Sequence, residues 1–181
     1  MNKEISSFLH PEKIIHAAMI HEGQKVADFG CGSGFFTRAA ARAVGQGGVV
    51  WAVDAHRDIL EHVTTLAKAE GLHNIKPVAA DVEHRMGSML HENSVDVVIA
   101  TNILFSAHDK QALVENIWKV LKGGGRALVI DWKESFGGLG PHKEHVVTEK
   151  DARALFEKGG FTYLGELPAG AYHWGFSMRK K

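Results

Sequence analysis

An apolar stretch, Val26–Phe29, carries one carboxylate at Asp28 and runs straight into Gly30-Cys31-Gly32-Ser33-Gly34. Glycines on alternate positions permit positive φ angles and remove the Cβ atoms that would hold a ligand off the backbone. In open α/β sheets, a turn of this kind between strand and helix is where nucleotide-like ligands bind. The spacing narrows the ligand. A dinucleotide fingerprint, G-x-G-x-x-G, needs its third glycine where this chain has Phe35, and no Gly-Lys-Ser/Thr ending marks a phosphate loop. Asp28, two residues before the first glycine, would repel a pyrophosphate and suits a ligand carrying an ammonium group. Taken alone, the glycines also fit a tight strand-to-helix turn with no ligand.

Three further runs end in polar residues. Val49 to Val53 ends in Asp54, twenty residues past Gly34, close to the spacing at which a strand-end carboxylate meets a ribose hydroxyl. Ile75 to Ala80 ends in Asp81, followed by Val82 and Glu83, and Val95 to Ala100 ends in Thr101 and Asn102. Each acid alone also reads as a solvated loop residue or a helix cap. In a parallel sheet all of these ends share one edge.

The segment Val26–Thr37 resembles the first motif of the class I S-adenosylmethionine-dependent methyltransferases. Val120 to Val129, Val-Leu-Lys-Gly-Gly-Gly-Arg-Ala-Leu-Val, is similar to the stretch entering their fifth strand, with Gly123 where relatives often have proline. The likeness runs from about Val26 to Met178, and the layout is that of the ubiquinone/menaquinone biosynthesis and other small-molecule methyltransferases. It implies S-adenosyl-L-methionine as cofactor and S-adenosyl-L-homocysteine as product. By the same resemblance, Asp54 holds the ribose and Asp81 contacts the adenine, with Ala55, Val82 and Glu83 beside them in the cofactor set. Asp28, Phe29, Gly30, Cys31, Gly32, Gly34, Phe36, Thr101, Asn102 and Phe105 complete the cofactor set.

The chemistry so implied is in-line displacement from an activated sulfonium to a small-molecule acceptor. Alignment and water exclusion then supply most of the catalysis, up to about 7–11 kcal/mol for well-oriented reactions. A base is needed only if the acceptor must lose a proton. Asn102 is expected at the reacting centre, beside an apolar lip of Ile103, Leu104, Phe105 and Ser106. His108 and Asp131 are the leading base candidates, ahead of His142, His145 and His173; each also reads as a helix-start residue or a hydrogen-bonded strand end. His142 and His145 have a metal-like separation but lack a clear third ligand, so no metal is expected.

These groups need a scaffold to hold them. Helical spacing appears over Phe35 to Val44, Arg57 to Glu70 and Lys110 to Leu121, with glycines ending the first two and Gly123-Gly124-Gly125 following the third. Arg126 to Trp132 is a fifth strand, and Thr148 and Asp151 start a further helix in a capping-box-like pattern. Phe161 to Leu167 and Tyr172 to Met178 are two last strands, joined by a tight Pro-Ala-Gly turn. Alternating strands and helices predict an α/β, doubly wound, seven-stranded sheet, mostly parallel, with one antiparallel strand near the C-terminus. One methyltransferase domain over 1–181 is expected: an N-terminal helical cap (1–25), a cofactor-binding core (26–132), and a lid loop, helix and strand hairpin (133–181). The cap begins amphipathic at Pro11, with Ile14, Ile15 and Ala18 on one face, and breaks at Gly23. Ser135 to His145, with glycines at 137, 138 and 140, is expected to close over the acceptor.

Composition excludes several classes. The chain has 181 residues, 45% apolar, with 21 basic and 21 acidic side chains, so it carries no general attraction to nucleic acid or anionic membrane. Arg179-Lys180-Lys181, its one basic cluster, fits a frayed terminus. Cys31 is the only cysteine, which excludes an intrachain disulfide and disfavours arsenic as acceptor. Met1-Asn2-Lys3-Glu4 lacks the apolar core of a signal peptide, and no run reaches the roughly 18 apolar residues of a membrane span. A cytoplasmic monomer or homodimer is expected. An RNA or protein methyltransferase, and a catalytically inactive S-adenosylmethionine-binding module, are the competing readings.

Overall fold

The computed structural model describes residues 8–84 and 90–181. Val26 to Phe29, Val95 to Ala100 and Ala127 to Ile130 are near-continuous apolar runs, the pattern of parallel strands covered on both faces. They form β1 (Lys25–Phe29), β4 (Val95–Thr101) and most of β5 (Leu121–Trp132), with β2 (Val49–Asp54) and β3 (Ile75–Ala79) on one flank. The helices are α1 (Pro11–Ala17), α2 (Phe35–Val44), α3 (Arg57–Ala69), α4 (Lys110–Val120) and α5 (Glu149–Lys158), and β6 (Phe161–Glu166) and β7 (His173–Lys180) complete the chain. The seven strands lie in the order β3-β2-β1-β4-β5-β7-β6, and β7 alone runs antiparallel to its neighbours. This is the expected doubly wound sheet with one reversed strand.

Two apolar layers sandwich the sheet. On one face Ile14 and Ile15 of α1 and Phe36, Ala40 and Val44 of α2 pack on Val26, Val50, Ile99, Leu128 and Ile130. On the other, Leu113, Ile117 and Phe156 of α4 and α5 cover Phe29, Val98, Ala100, Val129 and Phe176. Truncating a fully buried ring such as Phe156 costs about 3–5 kcal/mol in cores of this density. Two helix starts are fixed by sequence: Asp109 accepts from Ala112 N at 2.9 Å, and Thr148 accepts from Asp151 N at 3.1 Å.

The structure departs from the sequence expectations in four places. β5 starts at Leu121, not Arg126, because Gly123–Gly125 form a bulge: Leu121 pairs with Val95, yet Arg126 already pairs with Val97. A Cβ at Gly125 would lie 2.9 Å from the Lys122 carbonyl, so the bulge requires glycine there. α1 ends at Ala17, before Gly23, and Met19 takes a left-handed φ of 51°. Within the expected cap, residues 1–7, including Met1 to Glu4, lie outside the described residues. The basic end is pinned: Lys180 Nζ donates to Asn93 Oδ1 at 2.8 Å and the Leu121 carbonyl at 2.6 Å. Finally, β6 and β7 are joined by a wide connection, closed by Leu167 N donating to Gly175 O at 2.9 Å, with Leu167 and Ala169 buried.

Candidate cofactor site

The carboxyl ends of β1, β2 and β4 meet at the glycine turn. Gly30 N and Cys31 N both donate to the Val53 carbonyl, at 2.9 and 3.0 Å, which ties the turn to β2. Gly30, Gly32 and Gly34 take φ values of 70°, 48° and 71°, so all three need the left-handed region. Their surroundings differ. A Cβ on Gly34 would stand 2.8 Å from Val63 of α3, and one on Gly30 would stand 2.6 Å from Ile103. At Gly32 the nearest atom is 4.0 Å away. Two of the three glycines therefore admit protein side chains, and only Gly32 leaves open backbone.

Two adjoining cavities share Gly30 and Asn102. The first, of about 480 Å³, is bounded by Leu9, Pro11, Asp28, Gly32, Phe36 and Thr101. Asp28 is buried and accepts from the Thr37 hydroxyl at 2.5 Å. Burial pushes its pKa up to about 6 against the opposing Thr37 bonds, and the neighbouring Asp54 raises it further. Asn102 holds a left-handed φ of 53°, with its N–H on the Ile130 carbonyl at 2.9 Å. Its Oδ1, and the Thr101 hydroxyl, are buried without a protein partner. The Asp28 carboxyl, the Asn102 Oδ1 and the Thr101 hydroxyl place three acceptor groups on this wall. It fits an ammonium, which brings three donors, and opposes a pyrophosphate.

The second cavity, of about 370 Å³, is bounded by Asp54, Ala55, His56, Asp81, Val82, Glu83 and Ile103. Asp54 Oδ2 accepts from Gly32 N at 3.3 Å, and Oδ1 accepts from His56 N at 3.0 Å with His56 Nδ1 3.1 Å away. The donor from Glu83 N holds the Asp81 carboxyl below the usual range, with His84 adding to the effect. Larger hollows exist, of about 700 Å³ between α3 and β3 and about 610 Å³ around Gly45 to Gly48 and Gly71 to Asn74. Neither holds an unpartnered buried polar atom, so size alone does not mark the site.

Other expected residues fall elsewhere. Phe29 is buried in the core on the opposite sheet face from Asp28. Cys31 is buried, and burial together with Asp28 and Asp54 pushes its thiol far up, so it is a small filler of the turn. Phe105 is half-buried, and its N–H donates to Asp131 Oδ2 at 3.2 Å, while Trp132 N donates to Oδ1 at 2.8 Å. Asp131 is thus buried and committed to backbone; burial raises its pKa to about 6. His108 is exposed and stands on the Asp81 side, where it helps lower that carboxyl. Neither Asp131 nor His108 bounds either cavity with Asn102. Ile103, expected in the apolar lip, bounds the second cavity, whereas sequence reasoning missed His56, Leu9 and Pro11 as cavity walls. Only His56, two residues past a strand-end acid, carried a local signal.

The segment of the expected lid packs against Trp132 and Tyr172. Phe136 and Leu139 pair across Gly137 and Gly138, and Phe136 packs edge-on against Tyr172 at 4.8 Å, with Phe8 5.3 Å from that ring on another side. A Cβ at Gly140 would lie 2.8 Å from the Trp132 ring. His142 and His145 are exposed, and no metal-holding group of His, Cys, Asp or Glu occurs among the described residues. None of their helices is long and apolar enough to cross a membrane.

Sheet order, glycine turn and strand-end acids define a class I S-adenosylmethionine-dependent methyltransferase fold. Residues 20–164 match the family model described as "Methyltransferase domain", and the chain belongs to that family. It is 32% identical over 143 residues to the ubiquinone/menaquinone biosynthesis C-methyltransferase UbiE of Neisseria gonorrhoeae, covering 77% of this chain and 56% of that one. It is also 32% identical over 119 residues to the arsenite methyltransferase of Halobacterium salinarum, covering 63% and 28%. The chain spans about half the length or less of these curated relatives. A SAM-dependent methyltransferase from Aquifex aeolicus has the same fold, with a TM-score of 0.87, 23% identity and 99% and 94% of the two chains covered.

Proposed function

We propose that this chain transfers a methyl group from S-adenosylmethionine to a small-molecule acceptor. The observation that carries the reading is the group of acceptors on the wall of the first cavity: the buried Asp28 carboxyl with the unpartnered Thr101 hydroxyl and Asn102 Oδ1. When bound, the cofactor supplies a methyl group on an already activated sulfonium. Asp28, the Asn102 Oδ1 and the Thr101 hydroxyl hold its ammonium end, the open backbone at Gly32 lets it approach, and Phe36 excludes water. Asp54 receives the ribose hydroxyls, and Ala55, Asp81, Val82 and Glu83 surround the adenine. Asn102 faces the reacting centre because it belongs to both cavities. Asp131 acts through the lip it holds at Phe105, and His108 acts through Asp81. The UbiE relatives favour a small organic acceptor. Arsenite is disfavoured, since the only cysteine is buried and its thiol stays protonated.

Calorimetry with S-adenosylhomocysteine and with NAD tests the cofactor. Tighter binding of NAD would overturn the reading. Methyl-labelled cofactor offered with fractionated cell extract identifies the acceptor, and label found only in RNA or protein would favour the competing enzyme classes.

A further inference from the structure

His173 is the first residue of β7 and is 3% exposed, yet neither ring nitrogen has a hydrogen-bond partner. A buried polar group without a partner is rare, because it gives up its water for nothing in return. Burial, with Lys133 adding to it, lowers the His173 pKa to about 4, so the ring is neutral under ordinary conditions. A neutral imidazole offers one donor and one acceptor.

Register places this ring toward the site. Trp132 pairs with His173, and Ile130, two residues back on β5, pairs with Thr101 of β4. Side chains two apart share a face, so His173 lies on the face that carries Thr101 and Asp28, at the same sheet edge. β4 and β7 are two strand spacings apart, roughly 10 Å, which is the length of a small organic molecule. Aromatic rings connect the two points: Trp132 packs at a tilt with its ring centre 4.1 Å from that of the imidazole, and Tyr172, next in the chain to His173, touches both Phe8 and Phe136. Leu9, next to Phe8, already bounds the first cavity.

We infer that His173 is the acceptor-binding residue: it hydrogen-bonds an oxygen function of the methyl acceptor, whose apolar body lies along Trp132 toward Asn102. This deepens the methyltransferase reading and rests on it. Lys133, the charge that acts on this ring, disfavours a cationic acceptor and suits a hydroxyl or a carboxylate. His173 is buried in the structure, so the side chains around it, Trp132 among them, must move to admit the acceptor. The unpartnered nitrogens then find their partner in the acceptor.

The test compares His173→Phe and His173→Gln in the full chain. Three quantities are read: S-adenosylhomocysteine affinity, thermal midpoint without acceptor, and label transfer from methyl-labelled cofactor into the small-molecule fraction of a cell extract. The Phe variant is expected to bind S-adenosylhomocysteine within twofold of wild type and to melt no lower, since an apolar ring removes an unpartnered polar one. Its label transfer should fall by at least about tenfold, the scale of one lost buried hydrogen bond, with partial recovery in the Gln variant. Transfer by the Phe variant within threefold of wild type would overturn the assignment alone. So would a joint loss of midpoint and cofactor affinity, which would make His173 structural. A wild-type protein that binds S-adenosylhomocysteine but transfers no label would overturn the methyltransferase reading, and this assignment with it.

Discussion

Replacing Gly30, Gly32 and Gly34 by alanine, one at a time, should separate packing from ligand binding within one turn. All three positions have left-handed φ, which costs a Cβ-bearing residue roughly 1–2 kcal/mol. At Gly32 nothing more is added, because the nearest atom is 4.0 Å off. At Gly34 the new methyl would sit 2.8 and 2.9 Å from the two Val63 methyls, and Val63 is fully buried, so overpacking adds about 1–3 kcal/mol. The sum for Gly34→Ala is about 2–5 kcal/mol. Gly30→Ala should fall between, since Ile103 is only partly buried and its far methyl can turn aside. With a urea dependence of about 2 kcal/mol per molar, Gly34→Ala should lower the unfolding midpoint by roughly 1–2.5 M and Gly32→Ala by about 0.5–1 M. Affinity for S-adenosylhomocysteine should rank the other way. The methyl of Gly32→Ala would enter the cavity, with at least a tenfold loss, about 1.4 kcal/mol. Equal urea midpoints for Gly32→Ala and Gly34→Ala would refute the division of roles. So would a Gly34→Ala protein that keeps its stability and loses its ligand.

Asp54→Ala should weaken S-adenosylhomocysteine binding by about 1.5–3 kcal/mol in calorimetry, the scale of hydrogen bonds to a charged group, and unchanged affinity would remove Asp54 from the ribose. Removing residues 137–140 should reduce turnover while leaving S-adenosylhomocysteine affinity within about threefold, roughly 0.7 kcal/mol; equal losses would place the loop over the cofactor. The pH dependence of stability has two opposing parts. His173, lowered to about 4, contributes stability that is present above its unfolded value of about 6.5 and is lost as pH falls toward 4. Asp28 and Asp131, raised to about 6, contribute stability that is present below about 4 and is lost as pH rises through 6. Melting between pH 7 and pH 4 should therefore show His173→Phe gaining relative to wild type on acidification, by up to about 3 kcal/mol. Parallel profiles would show that the imidazole is not buried in solution.

The sheet was legible because its signals are local. β1, β2 and β3 lie in short apolar runs ended by a glycine or an acid, and Thr148 with Asp151 marks a helix start by chemistry that needs no distant partner. The bulge at Gly123–Gly125 was not legible, since it depends on how much of β5 must pass Asp96 of β4. The site was legible in the same uneven way. Asp28, Asp54, Asp81 and Asn102 stand at strand ends, and topology gathers strand ends without further information. Leu9 and Pro11 reach the cavity from before the first strand, a contact with no spacing to reveal it. Asp131 misled for a reason of pleat. Being at the end of β5 suggested the site, but it shares a face with Val129, toward α4 and α5, while Ile130 and Trp132 face the other way.

The strand order also sets a timetable. β1 to β4 form a contiguous half of the sheet, 3-2-1-4, and can pair as they leave the ribosome. β5 then adds to β4 but keeps one side open, because its next neighbour is β7, the last strand in chain order, and β6 has no partner except β7. Until residues 173–180 emerge, the backbone of Leu128, Val129 and Ile130 is an unpaired apolar edge, the kind of edge that recruits other chains. A nascent chain halted before residue 173 would thus hold the glycine turn and the strand-end acids, and still be prone to aggregate. The strand that closes this edge is the one that brings in His173, so relief from aggregation and completion of the acceptor side arrive in the same event.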